Sequence, residues 1–151
     1  MYMMDLDNYN LAWLRSVGRV LLGALFVISG GMILNGGVSG FAAGLTGLGV
    51  PAAGIMVWVV LLIKVVGGLM LIVGYHSRIA AAALVLFVIG TIALVHNNAA
   101  ELGAALKNLS IIGGLLYVIA SGPGPYTIVS LMKGNASTEA LRQNQNALKA
   151  Q

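Results

Sequence analysis

Ile55-Met-Val-Trp-Val-Val-Leu-Leu-Ile-Lys-Val-Val-Gly-Gly-Leu-Met-Leu-Ile-Val73 is an apolar run broken by a single charge at Lys64. A bilayer core about 30 Å thick is crossed by about 20 helical residues rising 1.5 Å each, so this run is long enough to span it. Its Val and Ile would also suit a strand. A strand facing lipid, however, must close into a barrel and alternate in polarity, and this run does not alternate. The reading is a membrane-spanning helix from about Gly54 to Gly74.

Working outward, three more segments have the same character: Leu14 to Leu34, Arg78 to His96 and Leu106 to Ser121. The 151-residue chain is 59% hydrophobic and 8% charged, far from the roughly one-quarter charged share of soluble domains. Formally charged residues are missing from Val20 to Ile63, from Ile79 to Ala100 and from Asn108 to Met132. Too few charges remain to cover a water-soluble surface. The fold class is therefore all-α, an integral membrane four-helix bundle. The chain divides into a four-span domain over 1–133 and a polar cytoplasmic tail over 134–151.

The excess of eight basic over four acidic side chains collects at span ends. Arg15 and Arg19 lie at the start of span one, Arg78 between spans two and three, and Lys133, Arg142 and Lys149 after span four. Lys and Arg gather on the cytoplasmic side, so both termini are expected there, with Arg15, Arg19 and Arg78 as topology and lipid anchors. No basic stripe interleaved with aromatics follows a phosphate backbone, which argues against nucleic acid as a partner. The absence of cysteine excludes disulfides, thiolate metal sites and dithiol relays.

Gly36, Gly40 and Gly44 recur every fourth residue between spans one and two, which places them on one helical face. A short interfacial helix allowing close backbone approach fits, and so does a flexible apolar loop. Gly67-Gly68 and Gly113-Gly114 hold similar places in spans two and four and are read as helix-packing positions. They hint weakly at two related hairpins.

The ordered motifs carry a resemblance. They are Arg19 followed by Leu-Leu-Gly-Ala-Leu-Phe-Val-Ile-Ser-Gly, then Gly49-Val-Pro51, then Val66-Gly-Gly-Leu-Met-Leu-Ile-Val-Gly74. Ser77-Arg-Ile-Ala-Ala, Lys107-Asn-Leu-Ser-Ile-Ile-Gly-Gly114 and Gly122-Pro-Gly124 follow. From roughly Trp13 to Val129 the chain resembles the DoxX family of small bacterial membrane proteins. That resemblance implies a four-span bundle in the bacterial inner membrane and, for some members, a role as subunit of a thiosulfate:quinone oxidoreductase or association with membrane redox systems. The chain departs from the family pattern by carrying Lys64 where a Glu often precedes the Gly-Gly, and Met32-Ile33-Leu34 where a Lys often follows the Ser-Gly.

Lys64 stands out among the candidate site residues. It lies about 15 Å from either end of its span, and a membrane-centre ammonium costs about 2.5–3.5 kcal/mol on insertion scales, so it calls for a partner. That partner is either a ligand such as a quinone carbonyl or another subunit, or else Ser29, Thr91 or Ser110 with water; alternatively, desolvation leaves the amine neutral. His96 and Glu101 sit at the outer side beside Asn97 and Asn98. An interfacial His bonded to its neighbours is the simpler reading, and a proton relay or ligand contact the sharper one. Lys107-Asn108 opens span four as an anion or partner contact, or as an interface anchor. No metal site is expected, because His76 and His96 fall on opposite faces of the membrane.

No nucleotide-binding, nucleophile-elbow or metalloprotease motif is present, so no catalytic residue is assigned and the isolated chain is not expected to be an enzyme. The expected function is that of an auxiliary subunit in a quinone-linked membrane redox complex. The expected partners are the lipid bilayer and other membrane subunits or further copies of itself. No cofactor is expected to be bound by this chain, with quinone as the one possible exception. The alternatives are an oligomeric transporter or pore for a neutral or anionic solute, or a quinone-reactive oxidoreductase subunit.

Overall fold

The computed structural model describes residues 4–95, 102–128 and 130, and these form five helices. They are α1 (Met4–Gly36), α2 (Val38–Gly47), α3 (Ala53–Val73), α4 (Ser77–Val95) and α5 (Leu102–Ser121). Four segments are long and apolar enough to cross a bilayer: Ala12–Gly36, Ala53–Val73, Ser77–Leu94 and Leu102–Ser121. The protein is thus a four-helix membrane bundle. Helix α1 starts about ten residues before the expected span because nothing from Met4 to Trp13, neither Pro nor Gly, interrupts it.

What faces outward is as apolar as what faces inward. Ile55 is 70% exposed and Leu86 72% exposed, and between 11% and 28% of each span's residues are buried within the bundle. In water this surface would drive aggregation, whereas in lipid it is the solvated face. The core lies between α1, α3, α4 and α5, where Phe26, Leu71, Ala80, Ala81, Leu84, Val88, Leu115 and Val118 form one cluster.

Helix α1 packs most extensively on α3, and α4 on α5. Because lipid tails are as apolar as leucine, this association depends on close van der Waals packing, which small residues permit. A Cβ on Gly67 would meet the Leu84 side chain of α4 at 3.2 Å, and one on Gly114 would meet Leu22 of α1 at 3.2 Å. Gly67, Gly68 and Gly114 thus stand at close helix–helix approaches. Gly113 does not: its helix face is open, and a Cβ there would meet nothing within 4 Å. The two Gly-Gly pairs thus do not play equivalent parts.

The segment between spans one and two forms a helix, α2, joined to α1 through Gly37 at φ 96°. The glycine-face expectation fails in one respect. Gly36, Gly40 and Gly44 meet nothing within 4 Å, and α2 turns Phe41 and Leu45 toward the bundle instead. The larger apolar side chains bury more area than a bare glycine face would. The tail over 134–151 and residues 96–101 lie outside the described residues.

Candidate functional site

One end of the bundle is locked by Arg19. It is 2% exposed and donates to the carbonyl oxygens of Pro123 (2.5 Å) and Tyr126 (2.7 Å), with a longer contact to that of Ile72 (3.5 Å). These acceptors come from the end of α3 and from the segment after α5. That segment, Gly122-Pro-Gly-Pro125, turns back under α1 through two left-handed glycines, and Tyr126 N–H donates to Ser16 Oγ at 3.3 Å. Both glycines are needed, since L side chains rarely adopt φ near 78°.

The expectation of Arg19 as a lipid anchor is therefore corrected. Its guanidinium is withdrawn from the lipid face because its rigid fork satisfies backbone carbonyls that would otherwise be stranded at helix ends. Arg78 is exposed and lies beside Gly122, and Arg15 is partly exposed, with its Cβ near Gly124, so all three arginines gather at this end.

Toward the opposite end lies a cavity of about 560 Å³, within the range of about 300–1,000 Å³ typical of small-ligand sites. All five helices contribute to it. Leu25, Phe26 and Ser29 come from α1, Phe41 and Leu45 from α2, and Val60, Ile63 and Lys64 from α3. Phe87 and Thr91 come from α4, and Lys107, Asn108 and Ile111 from α5. Residues separated in sequence, Lys64 and Lys107-Asn108, are thus brought to one chamber.

Lys64 is half-buried and its Nζ lies 5.6 Å from the centroid of the Phe87 ring, within reach of a cation–π attraction. It makes no hydrogen bond to any described residue. The hydroxyls that could have held it are engaged within their own helices. Ser29 Oγ donates to Phe26 O at 3.1 Å and Thr91 Oγ1 to Phe87 O at 3.0 Å. Ser110 is exposed, donates to Leu106 O at 3.0 Å and does not line the cavity. His96, Asn97, Asn98 and Glu101 lie outside the described residues.

Sequence reasoning had no signal for the chamber's aromatic wall of Phe26, Phe41 and Phe87, because these residues come from three different helices. The Gly23 and Gly30 positions on α1 were also missed, although seven residues apart is two turns on one face. A Cβ on Gly30 would lie 2.9 Å from Val65 Cγ2.

Among known proteins, the chain is similar to the inner membrane protein YqjF of Escherichia coli (strain K12). The two are 35% identical over 119 residues, covering 77% of this chain and 89% of that protein. No solved structure matches it at a significant level. With four spans and this relative, the chain is a multi-pass inner-membrane protein. The DoxX family pattern matches residues 14–97, more than half of the sequence, and together with this relative it establishes that the chain belongs to the DoxX family.

Proposed function

We propose that this protein is an auxiliary subunit of a quinone-linked membrane redox complex, with the five-helix cavity as the place where the quinone ring docks. The observation that carries this reading is the cavity's composition. It has an apolar body with aromatic walls, and among its few polar groups Lys64, Lys107 and Asn108 can donate hydrogen bonds. A quinone offers an apolar ring and tail and two carbonyl acceptors, which is the complement of that donor set. When bound it would supply electron-carrying chemistry.

In this reading Lys64 orients one carbonyl from α3, and Lys107 with Asn108 presents donors from α5. Phe26, Phe41 and Phe87 exclude water and contact the ring faces. Both chain ends belong in the cytoplasm, with the arginine-rich end of the bundle on that side and the cavity toward the outer leaflet. The open face of α5 around Gly113 is available for a neighbouring subunit.

The test is purification in mild detergent followed by identification of copurifying proteins and extraction of bound quinone. A redox partner in fixed ratio, with quinone retained by the unmodified protein and lost from Lys64→Met, supports the reading. A lone oligomer free of quinone that conducts a solute would replace it with the transporter reading.

A further inference from the structure

The charge balance of the cavity is one-sided. Two of its lining residues, Lys64 and Lys107, are basic, and they enter the one chamber from different helices, α3 and α5. Among the described residues, no Asp or Glu lines it. The remaining polar groups are neutral: Ser29, Thr91 and Asn108. Lys107 is exposed at the mouth, whereas Lys64 is half-buried beside apolar walls, where a charge is screened less than at a water surface, and the compensation visible for it is the face of Phe87. A neutral occupant would accept hydrogen bonds but leave both charges in place. An occupant with one negative charge on its head would offset them through charge-assisted hydrogen bonds, roughly twice as strong as neutral ones.

The shape narrows the class further. Phe41 and Leu45 of α2 and Leu25 and Phe26 of α1 line the same cavity with apolar surface. An apolar tail or ring fits there and a small hydrated inorganic anion does not, since it would forfeit its water against hydrocarbon.

We propose that the cavity selects single-tailed amphiphiles bearing an ionised acidic head, held by Lys64 and Lys107, with the apolar body seated against Phe26, Phe41 and Leu45. This deepens the quinone reading by specifying the charge of the head, and it also stands apart from it. An acidic hydroxyquinone and a free long-chain carboxylate both present the required chemistry.

The experiment compares two ligand pairs on the unmodified protein in detergent or nanodiscs at mildly alkaline pH, read by equilibrium binding and by thermal stabilisation. One pair is an alkylated hydroxynaphthoquinone and its methyl ether, and the other is dodecanoate and dodecanol. The expected result is that the ionised member of each pair binds at least about tenfold more tightly than its neutral partner. Lys64→Met and Lys107→Met should each bring the ionised member down toward the neutral one, while Lys64→Arg retains part of the preference. Equal binding within both pairs overturns the inference and leaves the quinone reading intact. Discrimination between dodecanoate and dodecanol with no binding of either naphthoquinone supports the inference and removes the quinone reading. Absence of binding by all four ligands overturns both. The ligand comparison needs no variant, so it decides the matter even if a substituted bundle fails to assemble.

Discussion

Gly23 of α1 and Gly68 of α3 meet backbone to backbone. A Cβ on Gly68 would lie 2.8 Å from the Gly23 carbonyl oxygen, and one on Gly23 would lie 2.6 Å from that of Gly68. Neither obstruction is the flexible end of a side chain, so an added methyl must push the helices apart. Gly23→Ala and Gly68→Ala are each expected to lower stability by about 1–3 kcal/mol, the usual range for overpacking. Gly113→Ala, which adds its methyl to open space, leaves the isolated bundle unchanged. Thermal unfolding of the three variants in one detergent makes the comparison, and equal losses in all three would show that the α1–α3 crossing is not where the close packing matters.

Arg19 ties three parts of the chain together at the other end of the molecule. Arg19→Met keeps most of the apolar volume but leaves the carbonyls of Pro123 and Tyr126 without their donor. Such a buried loss costs about 1–3 kcal/mol for each unsatisfied group. Arg19→Lys restores the charge but not the planar fork, so it is expected to recover only part of the stability. Limited proteolysis near residues 122–128 reports the effect directly. Cleavage should accelerate in Arg19→Met, less in Arg19→Lys, and not in Arg78→Lys, whose side chain is exposed.

The spans were legible because length and hydropathy alone decide what crosses a bilayer, and Lys64 stood out because a charge at mid-span is conspicuous in any such run. Position could not reveal the fate of Arg19. A charge near a helix start reads as an interface anchor, and its true acceptors lie more than a hundred residues further on. Likewise, neighbouring glycines on a helix point about 100° apart. Helix α3, which packs against both α4 and α1, uses Gly67 and Gly68, whereas α5 uses Gly114 against Leu22 and leaves Gly113 outside. Which of two adjacent glycines packs depends on the directions from which neighbouring helices approach, and that is a property of the assembled bundle.

Ala52, at the start of α3, sits in the left-handed region at φ 52° and ψ 42°. An L side chain there costs about 1–2 kcal/mol, which glycine avoids. Ala52→Gly removes that strain but gives the unfolded chain more freedom, so the expected net gain is smaller, about 0.5–1 kcal/mol. The position is exposed, so no packing is lost. An upward shift of the unfolding midpoint checks this, and a downward shift would mean that the Leu48–Ala52 turn is held by something other than its local backbone.

Lys64 gives the most discriminating prediction, because a ligand-binding lysine and a structural one respond oppositely to the same change. The amine makes no hydrogen bond to a described residue and rests near the Phe87 ring. Replacing it with Met removes a charge from an apolar setting, fills a similar volume and strands no described partner. The ligand-free Lys64→Met bundle should therefore unfold no more easily than the unmodified one, and should be slightly more stable, while the extra stability conferred by an ionised amphiphile disappears. Thermal unfolding with and without dodecanoate separates the two roles. A large drop in the ligand-free state would mean that Lys64 holds the helices together through a partner of its own, and the cavity would then lose its principal donor.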